Sequence, residues 1–427
     1  MESVWRVLFS RRMAVNLLNG FASGLPLLLT GSTLQAWLKD ESVPLEQIGL
    51  FALVGLPYTL KFLWAPLFDR FVPPLFGRRR GWLLAIQLAV AAAIAALGLC
   101  EPKNAPMLAA ALAVLVTFTS ASQDIVLDAY RRESLSDREL GLGSSLFVNA
   151  YRLAMLVSGA LALFLADGRL PWRLVYLLMA AFMGVGVLTT LWCQEPKVDG
   201  PPPRTLKESV VDPFVDFFRR DAAVLTLAFI LLYKLGDQMA AAMTTPFFLE
   251  LGFSKSELAA VAKTFGMLAM MGGSFLGGLL MVRLPIRKAL WIFGVLQAVA
   301  ILAFAGLAEA GKVFVLLGVA VASENFAAGM GSAAYIAFMA SLTNKRFTAT
   351  QYALFSSLMG VPRVLVAAPT GFLARELGWT GYFLFCTAAT IPGLLLLARV
   401  APWGKEPAAQ GHNGPAVSQP DADAAVG

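Results

Sequence analysis

Charge is scarce in this chain. Of its 427 residues only 14% are charged, against about a quarter in an ordinary soluble domain, while 58% are hydrophobic and the mean hydropathy is +0.69. Histidine is almost missing. The one copy, His412, lies in a polar tail, so the apolar body holds no imidazole ligand, relay or base. A membrane acyltransferase, which would draw on such a base, is therefore the weakest of the function classes. The three cysteines (Cys100, Cys193 and Cys386) sit in or beside apolar runs without metal or disulfide spacing and read as packing residues. No Gly-Lys-Ser/Thr phosphate loop occurs, which leaves ATP-driven work unsupported. Basic residues exceed acidic ones, 34 to 27, but they fall in short loops and not in an aromatic-interleaved patch, so nucleic acid is not expected as a partner.

What fills the chain is long apolar runs. At about 20 residues per crossing, they divide into spans near 14–38, 46–66, 82–100, 107–130, 142–166, 173–193, 222–250, 256–282, 286–308, 312–341, 349–375 and 379–401. The fold class expected is an all-α membrane protein of twelve transmembrane helices. Loops on one side carry Arg11, Arg12, Arg78, Arg79, Arg80, Arg131, Arg132, Arg219, Arg220, Arg287 and Lys288, and the opposite loops carry few cations. By the positive-inside rule both termini are expected in the cytoplasm.

The chain also repeats. Ser134-Leu-Ser-Asp-Arg138 returns as Ser341-Leu-Thr-Asn-Lys345, and Trp172 returns as Trp379, both at an offset of 207 residues. Two parallel six-span halves follow, 1–193 and 222–403, joined by a Pro- and charge-rich connector, 194–221, and ending in a disordered cytoplasmic tail, 404–427. This architecture resembles the major facilitator superfamily. So does the loop Asp69-Arg70 followed by Gly77-Arg78-Arg79-Arg80, although Phe71-Val-Pro-Pro-Leu-Phe76 stretches its spacing. The resemblance implies a cytoplasmic latch, here Asp69, Arg70, Arg78, Arg79 and Arg80, with Asp128 beside it.

Ionisable residues inside a membrane are expensive and are functional candidates by default. They are Lys61, Asp124, Asp128, Arg152, Lys234, Asp237, Lys263, Glu324 and Arg363. Asp124 and Asp128 share one helix face, four residues apart. Asp128 has a second reading, as a tether between the helix end and a neighbouring arginine. A carboxylate in a half-dry cavity favours its protonated form and can exchange protons near neutral pH. Asp124 and Glu324 are thus the first candidates for proton coupling, ahead of Asp237, which Lys234 can neutralise from three residues away. Arg152 and Arg363 sit at equivalent places in the two halves. Each can grip a carboxylate of the cargo, or pair internally with Asp124 or Glu324. The Gly272–Gly278 stretch is read as close helix packing.

Several motifs are similar to those of AmpG-type muropeptide permeases: Gly20-Phe-Ala-Ser-Gly-Leu-Pro26, Gly31-Ser-Thr-Leu-Gln-Ala-Trp37, Phe76-Gly-Arg-Arg-Arg-Gly-Trp82, Ser120-Ala-Ser-Gln-Asp-Ile-Val126 and Tyr151-Arg-Leu-Ala-Met-Leu-Val-Ser-Gly159. The resemblance covers most of the first half. It implies a monomeric, lipid-embedded permease of the bacterial inner membrane that uses protons as coupling ion and no other cofactor. The implied small-molecule cargo is an N-acetylglucosaminyl-1,6-anhydro-N-acetylmuramyl peptide, taken up for cell-wall recycling with a link to β-lactamase induction. Its hydroxyls and amides suit Gln35, Gln123, Asn149, Lys234, Gln238 and Asn325, and its carboxylates suit Arg152 or Arg363. A transporter of another cargo, such as an acetyl-coenzyme A-like molecule or an exported drug, is the alternative.

Overall fold

The computed structural model describes residues 4–44, 48, 51–197, 202–203, 205–365 and 367–402, which form helices and their connections, with no strand among the described residues. The tail expected over 404–427 lies outside them. Among the described residues, ten stretches are long and apolar enough to cross a bilayer: Arg11–Asp40, Arg78–Gly98, Pro106–Ser134, Asp137–Ala166, Trp172–Trp192, Ala223–Glu250, Ala260–Met281, Ile286–Ala310, Phe314–Leu342 and Pro369–Val400. Two further segments bring the bundle to twelve. The second span is a broken rod made of Phe51–Gly55, Leu56–Leu60, Lys61–Leu63 and Ala65–Arg70. The eleventh is described over Thr348–Leu365 and from Ala367 onward, and Gly378, at φ 67°, parts it from the twelfth. Only glycine takes that left-handed backbone at little cost.

Several boundaries differ from expectation; the fourth span ends at Ser134 and the fifth begins at Asp137, where 130 and 142 were expected. The second span was expected as one helix over 46–66. Instead Pro57 and Pro66, which lack an N–H, each open a new short helix, and Lys61 falls at the break between them. The third span begins at Arg78, so the basic cluster forms its first turn and does not precede it. Cations there oppose the helix dipole. Glu195, just past the sixth span, compensates by accepting from the backbone N–H of Arg79 (2.8 Å) and Arg80 (2.9 Å).

Glycines set the closest approaches. A Cβ on Gly24 would stand 2.3 Å from the Tyr151 carbonyl oxygen, so the first and fifth spans touch backbone to backbone. One on Gly273 would stand 2.0 Å from that of Phe326, which does the same for the eighth and tenth. The fifth and eighth spans join the halves: Ser145 Oγ donates to the Ser274 carbonyl at 2.6 Å, and Asn149 Nδ2 to that of Met271 at 3.2 Å. At the basic end the cores also interpenetrate. Ala349 and Ala353 enter the first half's core, while Met13, Leu135 and Leu142 enter the second's. Outward-facing Leu188, Val224 and Leu395 are exposed, as lipid-facing side chains are.

Backbone contact at Gly24 makes a clear stability prediction. Gly24→Val should overpack the first and fifth spans and cost about 1–3 kcal/mol, seen as a lowered Tm in detergent. Gly306→Ala, where a Cβ meets nothing within 4 Å, should leave Tm unchanged or slightly raised.

Candidate functional site

Polar side chains enter the bundle at three places. In the second half a cavity of about 620 Å³ is walled by the seventh, eighth, ninth and tenth spans, and Asp237, Gln238, Thr244, Glu324 and Asn325 give it a polar side. That volume lies within the few-hundred to thousand Å³ typical of small-molecule sites. Phe248, Met270 and Phe304 complete the wall as apolar surface.

Helix breaks present the charges here. The seventh span is interrupted at Lys234, between Ala223–Leu232 and Leu235–Glu250, so the lysine projects from an irregular turn. Its ammonium lies 3.3 Å from Asp237 Oδ2, 3.2 Å from Gln297 Oε1 and 3.4 Å from the Ala328 carbonyl oxygen. The pairing of Lys234 with Asp237 read from their spacing is thus present. Glu324, from the tenth span, lines the same cavity as Asp237. Asp237 Oδ1 has no donor among the described residues and belongs to the cavity wall. One cation therefore faces two carboxyl groups, and the trio is neutral only when one of them holds a proton.

The first half holds a second cluster. Ser23 Oγ donates to Asp124 Oδ1 at 2.5 Å, tying the first span to the fourth. One turn further, Asp128 accepts from Arg131 at 2.7 Å within its own helix and lies 3.8 Å from Lys61 Nζ. The tether reading of Asp128 is the one this geometry matches. Gln123 is fully buried, and neither end of its amide has a partner among the described residues. Such groups call for a water or a ligand. Arg152 is half-buried with Nη1 unpartnered, and it makes no ion pair among the described residues. The internal pairs weighed for it, with Asp124 or Glu324, are not formed.

The other sequence candidates scatter. Gln238 and Asn325 line the cavity. Asn149 spends its amide N–H on the seam between the halves, and Gln35 is exposed on Ser32–Asp40 and is not among the residues that line the cavity. The side chains of Arg363 and Lys263 lie outside the described residues.

The third polar place is the basic end. Arg79, with no exposed surface, is held by Asp69 Oδ1 at 2.8 Å, by Glu133 at 2.6 and 2.9 Å, and by the Phe68 carbonyl oxygen at 2.9 Å. Arg78 also reaches Glu133, at 3.2 Å. Asp69 then crosses between the halves. It accepts from the backbone N–H of Ala349 (3.2 Å) and Thr350 (2.8 Å) and from the Thr350 hydroxyl (2.8 Å), capping the first turn of the eleventh span. Beside it Arg131 donates to the Tyr352 hydroxyl at 3.0 Å. Two expected members play other parts: Arg80 binds the end of the sixth span through the Thr190 and Leu191 carbonyls, and Arg70 stacks on Phe71. Sequence reasoning passed over Glu133, Glu195, Thr350, Tyr352, Ser23 and Gln297. Only Glu133, an acid set against two arginines at the foot of an apolar run, gave a local signal.

Two outcomes test this geometry. Lys234→Met should lower stability by about 3–5 kcal/mol, because it leaves a buried carboxylate without its cation. Adding Asp237→Asn should recover much of that loss in a double-mutant cycle of denaturation midpoints. Asp69→Ala should remove a cap worth about 1–2 kcal/mol and speed amide hydrogen exchange at Ala349 and Thr350 several-fold.

Residues 13–367 match the Major Facilitator Superfamily. The anhydromuropeptide permease of Escherichia coli is 48% identical over 393 residues, covering 92% of this chain and 80% of that protein. An uncharacterized protein of Haemophilus influenzae is 41% identical over 411 residues, 93% of this chain and 96% of its own length. The putative transporter AmpG 4 of Rickettsia conorii is 34% identical over 388 residues, covering 88% and 94%. Among solved structures, the transporter FucP in its outward conformation superposes with a TM-score of 0.67 at 11% identity, covering 91% of this chain and 98% of its own. The proton:xylose symporter XylE gives a TM-score of 0.66 at 10% identity, covering 92% and 95%. At such identities these structures speak to the fold alone. With twelve helical segments, two joined halves and relatives named as permeases, the chain is a transporter and not an enzyme, and it belongs to the Major Facilitator Superfamily, in the branch that holds the anhydromuropeptide permease of Escherichia coli.

Proposed function

We propose that this protein imports N-acetylglucosaminyl-1,6-anhydro-N-acetylmuramyl peptides across the bacterial inner membrane, with protons as the coupling ion. The observation that carries the reading is the 48% identity, over 92% of the chain, to the Escherichia coli anhydromuropeptide permease. The cavity supports it. Asp237, Gln238, Glu324 and Asn325 suit hydroxyl and amide groups better than the apolar cargo of a drug exporter. Arg152, half-buried and without an ion pair among the described residues, can take a cargo carboxylate. Import of this cargo would also supply the signal for inducible β-lactamase expression.

Orientation in this proposal follows the basic residues, which place both termini and the Asp69–Thr350 contact on the cytoplasmic side. The contact then shuts the inner mouth while the cavity receives cargo from the periplasm. Coupling uses the surplus of carboxylates. In the second half Glu324 shares the neighbourhood of Asp237, and Lys234 neutralises only one of the two. A proton taken with the cargo brings that trio to neutrality, which a low-dielectric bundle favours while it changes shape. Asp124, held by Ser23 one turn from Asp128, is the corresponding acceptor in the first half.

Uptake of labelled anhydro-disaccharide peptide into proteoliposomes tests the proposal, run with and without a proton gradient acid on the cargo side. The gradient should raise uptake, and Glu324→Gln or Asp124→Asn should make it gradient-independent. Arg152→Gln should raise the half-saturation concentration by roughly tenfold or more, as loss of a charged hydrogen bond of about 1.5–3 kcal/mol implies. Folded protein that takes up no cargo under either condition would remove the cargo assignment. Unchanged coupling in both carboxylate variants would remove the proton sites.

A further inference from the structure

Between Asp69 and Arg79, the two residues of the buried junction, the chain runs through Phe71-Val-Pro-Pro-Leu-Phe76, a stretch that the junction itself does not use. Its large apolar side chains point outward: Phe71, Val72, Leu75 and Phe76 are all exposed, Leu75 at 69%. A loop surrounded by water seldom presents four such groups together.

The loop's height in the bundle is set by what it touches. Trp82 Nε1, at the start of the second turn of the third span, donates to the Phe71 carbonyl at 2.8 Å. A Cβ on Gly81 would stand 2.5 Å from the Leu75 carbonyl oxygen and 2.8 Å from Pro73 Cβ. The loop therefore lies against the side of the third span, level with a half-buried tryptophan, and does not stand above the helix end. Exposed Leu63 and Leu67 carry the lipid-facing surface of the second span up to Arg70, where its last helix ends, and exposed Phe71 and Leu75 extend that apolar surface into the loop directly after it. Phe76, at φ 65°, and Gly77, at φ 84°, turn the chain sharply back into the third span.

Cations border this surface. Arg70 sits 5.0 Å from the centre of the Phe71 ring and Arg80 5.3 Å from that of Phe76. Arg80 is engaged by carbonyls of the sixth span, whereas Arg70 has no carboxylate partner among the described residues. An arginine above a lipid-facing ring is placed at the height of phosphate headgroups.

We propose that residues 71–76 form a wedge seated in the interfacial layer of the bilayer, with Phe71, Leu75 and Phe76 among the upper acyl chains and Arg70 on the phosphate of an anionic lipid. The partner is the lipid surface itself. Asp69 and Arg79 bracket the wedge, so its seat in the lipid fixes the frame from which the junction between the halves is held. Arg70, expected from the sequence to belong to the latch, acts here as the lipid contact.

Spin labels report the depth directly. In a full-length protein whose three cysteines are replaced by serine, Leu75→Cys is labelled and reconstituted into phosphatidylglycerol vesicles or phosphatidylcholine vesicles. Arg138→Cys, exposed at the same end of the bundle, serves as the water-facing control. The label at 75 should relax with oxygen more than with a water-soluble nickel chelate, and the label at 138 the reverse. The preference at 75 should be larger in phosphatidylglycerol, and Arg70→Gln should abolish that difference between lipids. A label at 75 as open to nickel as the one at 138 would overturn the wedge and leave the surface to a soluble partner. A deep label that does not distinguish the two lipids, with or without Arg70, would overturn the headgroup contact.

Discussion

Arg79 has no exposed surface, and a buried guanidinium is tolerated only when its charge and its donors are answered. Four donor–acceptor contacts do so, and they bind the end of the second span, the foot of the fourth and the first turn of the third into one unit. Asp69 then has one carboxylate face left for the other half, and it uses that face on two backbone N–H groups and a hydroxyl of the eleventh span. The contact is reversible in principle. It ends on a helix N-terminus that can be offered to water, while the charges behind it remain paired among themselves.

The two halves handle their intramembrane charges differently. In the first half Asp128 is committed to Arg131 and Lys61, and Asp124 rests on a serine hydroxyl. In the second, Lys234 stands among oxygens of Asp237, Gln297 and Ala328, with Glu324 close by and a cavity in front. Both lysines emerge at breaks in their helices. An interrupted helix lets a long side chain leave the regular face and gives free backbone groups a reason to border a polar space. Repetition at the level of the chain has therefore not produced two equal sites.

Glycine shapes how near these groups can come. Gly20 and Gly24 bring the first span against the fifth, and Gly273 and Gly329 bring the eighth against the tenth. In lipid there is little hydrophobic gain in helix association, so close backbone contact supplies what holds the bundle. The reading of the Gly272–Gly278 stretch as packing surface agrees with this geometry. Arg152 shows the opposite limit: its place on the fifth span was legible, but that it makes no ion pair among the described residues was not.

By itself the sequence determined the class of protein, the number and approximate ends of most spans, the internal repeat and the side on which the cations gather. Each of these depends on residues near one another in the chain, through run length, spacing and composition. The breaks beside Lys61, where Pro57 and Pro66 open short helices, and at Lys234 were not among these, since each span was expected as one run. Tertiary structure alone decided which charges meet. Asp69 caps a helix some 280 residues away, Arg79 takes Glu133 from another span, Ser23 finds Asp124, and Gln297 joins Lys234 from within an apolar run. Such pairings turn on the rotation and depth of whole helices, and those are fixed by the packing of all twelve against one another, which no local pattern encodes.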